Sequence, residues 1–196
     1  AVRMGKVPVN AASLVKVPTP VEHDITPMSR AEAQRVLAAA MKHQQAARFA
    51  LALIAGLRQG ECLGLRWQDV ELDGDNPHIN IRQTLKRQVW MHGCPDELAC
   101  GPAKTCPYRW RSPTFGPPKS RHGHRSRSIP TTVVDMLRTQ KTEVARMRLK
   151  AGELWEDNNL VFPNQYGRPL DARNDSRAWT RLLSEAGVPD ARLHDA

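Results

Sequence analysis

Three side chains, met along the sequence in the order Arg, Lys and His, are of types that suit chemistry on a phosphodiester. They are Arg58, in a turn flanked by glycines, Lys119, after a Pro-Pro pair, and His194, close to the last residue. Cleavage of a phosphodiester needs cationic donors, a general acid and an aligned nucleophile. A guanidinium binds two phosphate oxygens at once and stays charged, so Arg58 suits the first task. A lysine on its flexible stem can titrate when it is partly desolvated.

Glu61 follows Arg58 by three residues. On a helix the two side chains would face one another, so the carboxylate could hold the guanidinium in place. A single Arg-x-x-Glu pattern is usually a surface ion pair, and Lys119 could equally be a plain phosphate contact. A lone histidine such as His194 is usually structural. The chemical interpretation is favoured by the whole string, in which Gly-Leu-Arg-x-Gly-Glu is followed by Leu-Gly-Leu-Arg-Trp and then by an acidic segment.

Positive charge is concentrated in one part of the chain. The 196 residues carry 29 Lys and Arg against 20 Asp and Glu, a net charge of +9, and no acidic residue occurs between Leu98 and Val134. The basic residues of that stretch are Lys104, Arg109, Arg111, Lys119, Arg121, Arg125 and Arg127. Such a run can be a solvated loop face. Beside the Arg and Lys already named, it predicts a hairpin that faces the phosphates of double-stranded DNA. The predicted DNA contacts are Arg121, Arg125 and Arg127.

A Cys- and Pro-rich insertion at about residues 90–115 offers four soft metal ligands. They are His92, Cys94, Cys100 and Cys106. Four such ligands suit a tetrahedral zinc site, although their spacing differs from that of a Cys-x-x-Cys finger. Two other interpretations stay open, namely a reduced, solvated loop and a disulfide, which a cytosolic setting disfavours. Cys62, outside the insertion, is predicted to be a core residue.

The order and surroundings of these residues resemble the tyrosine recombinase (phage integrase) family, from about residue 25 to the end of the chain. The glycine-flanked Arg58, the Lys119 hairpin that ends in Arg-Ser-Ile-Pro, and the approach to His194 carry the resemblance. The resemblance implies that Arg58 binds the scissile phosphate with the support of Glu61. It also implies that Lys119 protonates the leaving 5′-oxygen, and that His194 contacts the phosphate and assists proton movement.

The sequence departs from the family pattern near its end. The family motif around the histidine is His-x-x-Arg, and the nucleophilic tyrosine follows later, whereas this sequence stops at Ala196, two residues after His194. The two tyrosines, Tyr108 and Tyr166, both precede His194 and do not match the nucleophile by order. We therefore expect a catalytic domain that lacks its C-terminal part and is inactive alone. The alternatives are a non-catalytic DNA-binding recombinase fragment or regulator, and a zinc-dependent interaction module.

For the complete protein, the resemblance implies an enzyme of site-specific DNA recombination, an integrase of a phage or mobile element. It implies a 3′-phosphotyrosine intermediate and a homo-tetramer acting on two DNA duplexes. It implies no cofactor for catalysis, so that a zinc in the insertion would be structural. No apolar run approaches the ~18–20 residues of a membrane span, and the start shows no signal peptide, so we expect a cytoplasmic protein with no membrane partner.

The resemblance further implies a mainly α fold with a small antiparallel β-sheet on one edge. We expect residues 1–25 to be a linker from an upstream DNA-binding domain and residues 26–196 to be the catalytic domain. Helical patterns and caps predict four helices. The first has Pro27 in its first turn and Thr26 or Ser29 as its cap, and the second covers about 44–55. The third runs from a Thr131 cap to about 150, and the fourth covers about 175–186. Alternating patterns predict strands at residues 70–72, 79–85, 125–129 and 160–162.

Overall fold

The computed structural model describes Val15 and residues 27–95, 100–112, 114–118 and 123–189. These residues form the helices α1 (Arg30–Ala40), α2 (Ala46–Ala55), α3 (Gln59–Leu63), α4 (Thr131–Ala151) and α5 (Ala172–Glu185). The strands are β1 (Val70–Glu71), β2 (His78–Ile81), β3 (Thr84–Leu85), β4 (Trp90–Met91), β5 (Trp110–Arg111), β6 (Phe115–Gly116) and β7 (Arg125–Ser128). The mainly α fold with a small antiparallel sheet is confirmed. Lys119, Arg121, His194 and, apart from Val15, the predicted linker lie outside the described residues.

Side-chain caps mark the starts of α1 and α5, and Ser29 is one of the two residues predicted to cap α1. Three details of the predicted starts are wrong, one each in α1, α4 and α5. Ser29 caps α1, and the Glu32 carboxylate accepts a hydrogen bond from the Ser29 backbone N–H at 2.8 Å. Pro27 therefore lies before the helix instead of in its first turn. Pro130, which makes no side-chain cap, precedes α4, so Thr131 is the first helical residue and not the cap. Asp171 caps α5 through the Asn174 N–H at 2.9 Å, and the helix begins three residues before its predicted start.

A three-stranded antiparallel sheet has the order β1-β2-β7. Ile79 lies opposite both Val70 and Arg127, and Ile81 lies opposite Arg125. The predicted single strand at residues 79–85 is wrong, because the chain leaves this sheet after Ile81 and β3 pairs with β6 in a separate one. The predicted strand at residues 160–162 is only an isolated bridge between Arg66 and Leu160.

The predicted insertion lies in a two-stranded ribbon, which we define as the described residues 84–95, 100–112 and 114–116. At the base of the ribbon Thr84 pairs with Gly116, and in its outer part Trp90 pairs with Arg111. Backbone hydrogen bonds from Lys86 N–H to Thr114 C=O at 2.8 Å and from Ser112 N–H to Val89 C=O at 2.9 Å join the two parts. The ribbon thus projects between β2 and β7, which flank it in the sequence and pair with each other at its root.

Two apolar clusters hold the helices and the sheet together. The larger lies between α2, α4 and the three-stranded sheet and includes Leu51, Ile79, Val133, Leu137 and Val161, with Cys62 of α3 in it as predicted. The smaller joins α1, α2 and α5 and includes Val36, Phe49, Trp179, Leu182 and Leu183. Full burial of each such large side chain contributes about 1.5–3 kcal/mol. No helix in the described part of the chain is long and apolar enough to cross a membrane.

Candidate active site and metal cluster

Arg58 is the residue that caps the short helix α3. Gly56 ends α2 in the left-handed conformation, with φ 63°, a backbone geometry that glycine adopts without steric cost. The chain reverses there, so that Arg58 enters α3 with extended backbone angles and its side chain stays 66% exposed. The Arg58 backbone N–H donates to the Glu61 carboxylate at 2.9 Å, and its guanidinium lies 3.5 Å from the same group. Most of the guanidinium edge remains available to a ligand.

Glu61 is almost fully buried, with 4% exposure, and it also binds the guanidinium of Arg125. The two nitrogens of Arg125 donate to the two Glu61 oxygens at 2.9 and 2.8 Å. A second contact, 3.3 Å long, joins Arg125 to the carbonyl of Gly56. Arg125 is only 20% exposed, in contrast to Arg58. Glu61 therefore ties the turn that carries Arg58 to strand β7, which leads out of the predicted Lys119 hairpin.

The Glu61 carboxyl is held in its ionised form. Burial by itself raises the pKa of Glu61, but hydrogen bonds from Arg125 and from the Arg58 backbone, together with both guanidinium charges, outweigh the burial and lower that pKa. An ionised carboxylate between two arginines keeps both of them oriented at neutral pH.

The same turn is fastened on its other side to α5. The Gln59 side chain donates to the Ala172 carbonyl at 2.9 Å and to the Asp175 carboxylate at 2.7 Å. Asp175 also forms a fully buried ion pair with Arg48 of α2. Arg58 is thus followed in the sequence by two residues, Gln59 and Glu61, that are each anchored to a different element.

Four ligand-type side chains meet at the tip of the ribbon. The donor atoms of His92, Cys94, Cys100 and Cys106 all lie within 4.8 Å of one another, and the Cys94 sulfur is 3.6 Å from His92 Nδ1. Zn–S bonds of about 2.3 Å in a tetrahedron place ligand atoms roughly 3.5–3.8 Å apart, so the donor set fits zinc closely. No disulfide joins these cysteines. The coarse prediction of a His/Cys cluster able to hold a metal is confirmed.

The surroundings of Cys106 favour a thiolate. Burial of Cys106 raises its pKa, but hydrogen bonds from the Gly93 backbone, the His92 ring and the Tyr108 backbone outweigh the burial and lower the pKa to about 6. Hydrogen bonds to Cys106 and Cys94 raise the pKa of the neighbouring Cys100 to about 12. A Cβ at Gly93 would lie 2.3 Å from the Tyr108 carbonyl oxygen, so the backbone contact at this tip requires glycine.

No family model matches the sequence. A curated protein named Integrase from Saccharopolyspora erythraea is 32% identical, and the match covers 100% of this chain and 52% of that protein. A protein named Tyrosine recombinase XerC-like from Caldanaerobacter subterraneus subsp. tengcongensis is 28% identical over 97% of this chain and 47% of its own length. The chain belongs to the tyrosine recombinase family. It spans about half the length of these curated relatives.

Solved structures show that this chain has the family fold. The XerA recombinase superposes with a TM-score of 0.55 at 19% identity, over 92% of this chain and 49% of that one. The Tn1549 transposon integrase, solved in complex with circular intermediate DNA, superposes with a TM-score of 0.58 at 15% identity, over 95% of this chain and 55% of that one.

The structure places the predicted site residues of this chain in unequal settings. Arg58 and Glu61 lie together, as their spacing suggests, and Arg127 is exposed on β7. Arg125 turns towards Glu61 instead of open solvent. The catalytic and DNA-binding roles of these residues remain predictions.

The sequence did not indicate three residues that support the candidate site, namely Gln59, Arg48 and Asp175. One signal was present, because Arg48 is the single charged residue in the otherwise apolar helix α2 and so requires a buried partner. Asp175, 127 residues away, carries no such mark in the sequence.

Proposed function

We propose that this chain forms part of the catalytic domain of a site-specific DNA recombinase, an integrase that cleaves and rejoins DNA through a 3′-phosphotyrosine intermediate. The observation that carries the proposal is the exposed guanidinium of Arg58, fixed at the start of a helix by the buried carboxylate of Glu61. The names of the relatives, Integrase and Tyrosine recombinase, support it. A mobile element as the source is supported by the likeness to a transposon integrase.

In the proposed reaction, a tyrosine hydroxyl attacks the scissile phosphorus, a P–O bond to tyrosine forms, and the bond to the 5′-oxygen breaks. Arg58 binds the non-bridging oxygens, on which negative charge grows. Lys119 gives its proton to the leaving 5′-oxygen, and His194 contacts the phosphate. A 5′-hydroxyl of a partner strand then attacks the phosphotyrosine and releases the tyrosine. The phosphoester count is unchanged, so the reaction needs no ATP. In this proposal the cationic side chains neutralise the growing phosphate charge, a task that a catalytic metal performs in other enzymes.

The proposed partner is double-stranded DNA, bound in the cytoplasm by a homo-tetramer of the complete protein. Arg121 and Arg127 are the proposed DNA contacts of the hairpin, and Arg125, which the sequence also predicts as a contact, is proposed to position the hairpin. Arg127 supports this through its exposure, and Arg125 supports it indirectly, because its ion pair with Glu61 holds β7 beside Arg58. Residues 1–25 are proposed to link the domain of residues 26–196 to an upstream DNA-binding domain.

The tip of the ribbon is proposed to hold a structural zinc ion, bound by His92, Cys94, Cys100 and Cys106. Four protein ligands leave no open position for water, so this ion would have no catalytic role. The clustering of the four donor atoms supports the proposal.

The recombinase function is tested by trapping the covalent intermediate. The complete protein is incubated with a nicked suicide substrate carrying its attachment site, and protein–DNA adducts are separated on a denaturing gel. We expect an adduct with the complete protein, attached at a tyrosine other than Tyr108 and Tyr166, and none with the 196-residue chain. The absence of any adduct with the complete protein would contradict the function, and an adduct at Tyr108 or Tyr166 would contradict the assignment of the site.

A further inference from the structure

The outer part of the ribbon has two chemically different faces. The pairing of β4 with β5 places Trp90 opposite Arg111 and Met91 opposite Trp110. Because side chains alternate along a strand, Arg109 shares the face of Trp90 and Arg111. Met91 and Trp110 lie on the other face, where they are 41% and 47% exposed. One face is therefore cationic and the other apolar.

The cationic face is organised by stacking. The guanidinium carbon of Arg111 lies 4.4 Å from the Trp90 ring centroid, and that of Arg109 lies 5.0 Å from the same centroid. Stacking uses the flat faces of a guanidinium and leaves its N–H edge free to bind oxygen atoms. Both arginines are exposed, and among the described residues the Arg109 guanidinium donates a 3.4 Å hydrogen bond to the Cys106 carbonyl. The two side chains are thus held in place with most of their donors turned outwards.

The charge of the ribbon is uncompensated in the part of the chain that the structure describes. Its basic residues are Lys86, Arg87, Lys104, Arg109 and Arg111. Within the described residues, the ion pairs of arginines all lie outside the ribbon. The sequence between residues 84 and 116 contains two acidic residues, Asp96 and Glu97, which lie outside the described residues. Such a surface fits a polyanion.

The base of the ribbon is anchored to the helix that carries the candidate catalytic arginine. A Cβ at Gly60 would lie 2.5 Å from the Thr84 hydroxyl, and a Cβ at Gly64 would lie 2.8 Å from the Leu85 backbone N. The Gln83 side chain donates to the Gly64 carbonyl at 2.8 Å. The chain from Thr84 to Trp90 spans about 20 Å when it is extended as a strand. The cationic face therefore keeps a fixed place relative to Arg58, within the span of a bound duplex.

We propose that the ribbon is a second DNA-contacting element of this protein, in which Arg109 and Arg111, stacked on Trp90, bind the phosphate backbone beside the cleavage site. This inference rests on the proposed function, since it takes DNA to be the ligand at Arg58. The His/Cys cluster closes the tip of the ribbon. A two-stranded hairpin of this length is marginally stable on its own, so metal binding is expected to strengthen the DNA contact.

The salt dependence of DNA binding tests the proposal. Affinity of the complete protein for a labelled duplex of mixed sequence is measured by fluorescence anisotropy over a series of salt concentrations. An R109A/R111A double variant should reduce the slope of log affinity against log salt by about 2. At 0.1 M salt this corresponds to a loss of affinity on the order of 10–100-fold. Stripping the metal with a chelator should weaken binding of the parent protein more than binding of the double variant.

The matched control is R146A/R148A on α4, which also removes two positive charges. Arg146 pairs with Glu143 and Arg148 pairs with Asp157 at 3.2 Å, so both are already compensated. This control should keep the parental slope. An unchanged slope in R109A/R111A, or an equal reduction in both double variants, would overturn the proposal. A ribbon variant that binds DNA normally but no longer self-associates would also overturn the proposal, because the ribbon would then form contacts between copies of the protein.

Failure of this proposal and failure of the proposed function give different results. Covalent adduct formation at saturating DNA reports on the recombinase function and does not depend on the ribbon contacts. A protein that forms the adduct but shows no change of slope in R109A/R111A retains the function and contradicts the ribbon contact. A protein that forms no adduct contradicts the function, whatever the slope.

Discussion

Glu61 accepts hydrogen bonds from two arginines that belong to different elements. Arg58 comes from the turn after α2, and Arg125 comes from β7, 64 residues after Glu61. The two side chains use the carboxylate differently, because Arg125 binds both oxygens at short distance while Arg58 keeps its guanidinium largely exposed. Arg125 is therefore a positioning residue in this account, and Arg58 is the residue left free to meet a phosphate.

Glu61→Gln should destabilise the protein by about 1–3 kcal/mol at pH 7, since the amide leaves buried donors poorly satisfied. The pKa of Glu61 is lower in the folded protein than its ordinary value near 4.5. Its stabilising effect is therefore present above that value and is lost as the pH falls through the folded pKa. Urea unfolding of both proteins at pH 7 and at lower pH should show the difference shrinking as the solution becomes more acidic. The exposed substitution Asp135→Asn serves as control, and a Glu61→Gln difference that does not vary with pH would contradict this role.

At the scale of elements, the ion pair of Arg48 with Asp175 joins α2 to α5 inside the protein. Both side chains are buried, at 0% and 1% exposure. Asp175→Asn leaves a buried guanidinium without a counter-charge and should cost about 3–5 kcal/mol of unfolding free energy. The exposed pair of Glu156 with Arg168 provides the control, since Glu156→Gln should change stability little. Equal effects of the two substitutions in urea unfolding would show that the buried pair does not hold the helices together.

The ribbon tip should bind about one zinc ion per chain, measured by elemental analysis of protein purified under reducing conditions without chelator. Cys106→Ser should lower the zinc content, because Cys106 is buried within the cluster. Cys62→Ala is the matched control and should keep the zinc, since Cys62 lies in the larger core cluster and burial raises its pKa to about 12. Metal-free protein in which the three thiols of the cluster, Cys94, Cys100 and Cys106, all react freely with a thiol reagent would contradict the site.

The helices were predictable to within a few residues because their apolar spacing and caps are local signals. The strands were less predictable from the sequence than the helices. Alternation continues from Ile79 to Leu85, but a strand also needs a partner, and the partner changes from β7 to β6 within that run. The pairing of Arg58 with Glu61 follows from a spacing of three residues. The turn of Arg125 towards Glu61 does not, because it depends on how β7 packs beside α3, which no local pattern encodes.

In the whole molecule, three separate parts of the chain converge on the helix that follows Arg58. Strand β7 reaches it through Glu61, α5 reaches it through Gln59, and the ribbon reaches it through close contacts at Gly60 and Gly64. This arrangement fixes a short helix that would be unstable on its own. The chain as a whole carries a net charge of +9, which favours a polyanionic partner.

The central claim is that Arg58 binds the phosphate that is cleaved. Its most direct test is the single-turnover rate of covalent adduct formation by the complete protein at saturating DNA, compared between the parent and Arg58→Ala. The control is Arg82→Ala, which removes an arginine of nearly equal exposure, 65% against 66%. We predict that Arg58→Ala slows adduct formation by about 10²–10³-fold with little change in DNA affinity, while Arg82→Ala leaves the rate within a few-fold. An Arg58→Ala protein that forms the adduct at the parental rate, or is slowed no more than Arg82→Ala, would contradict the account.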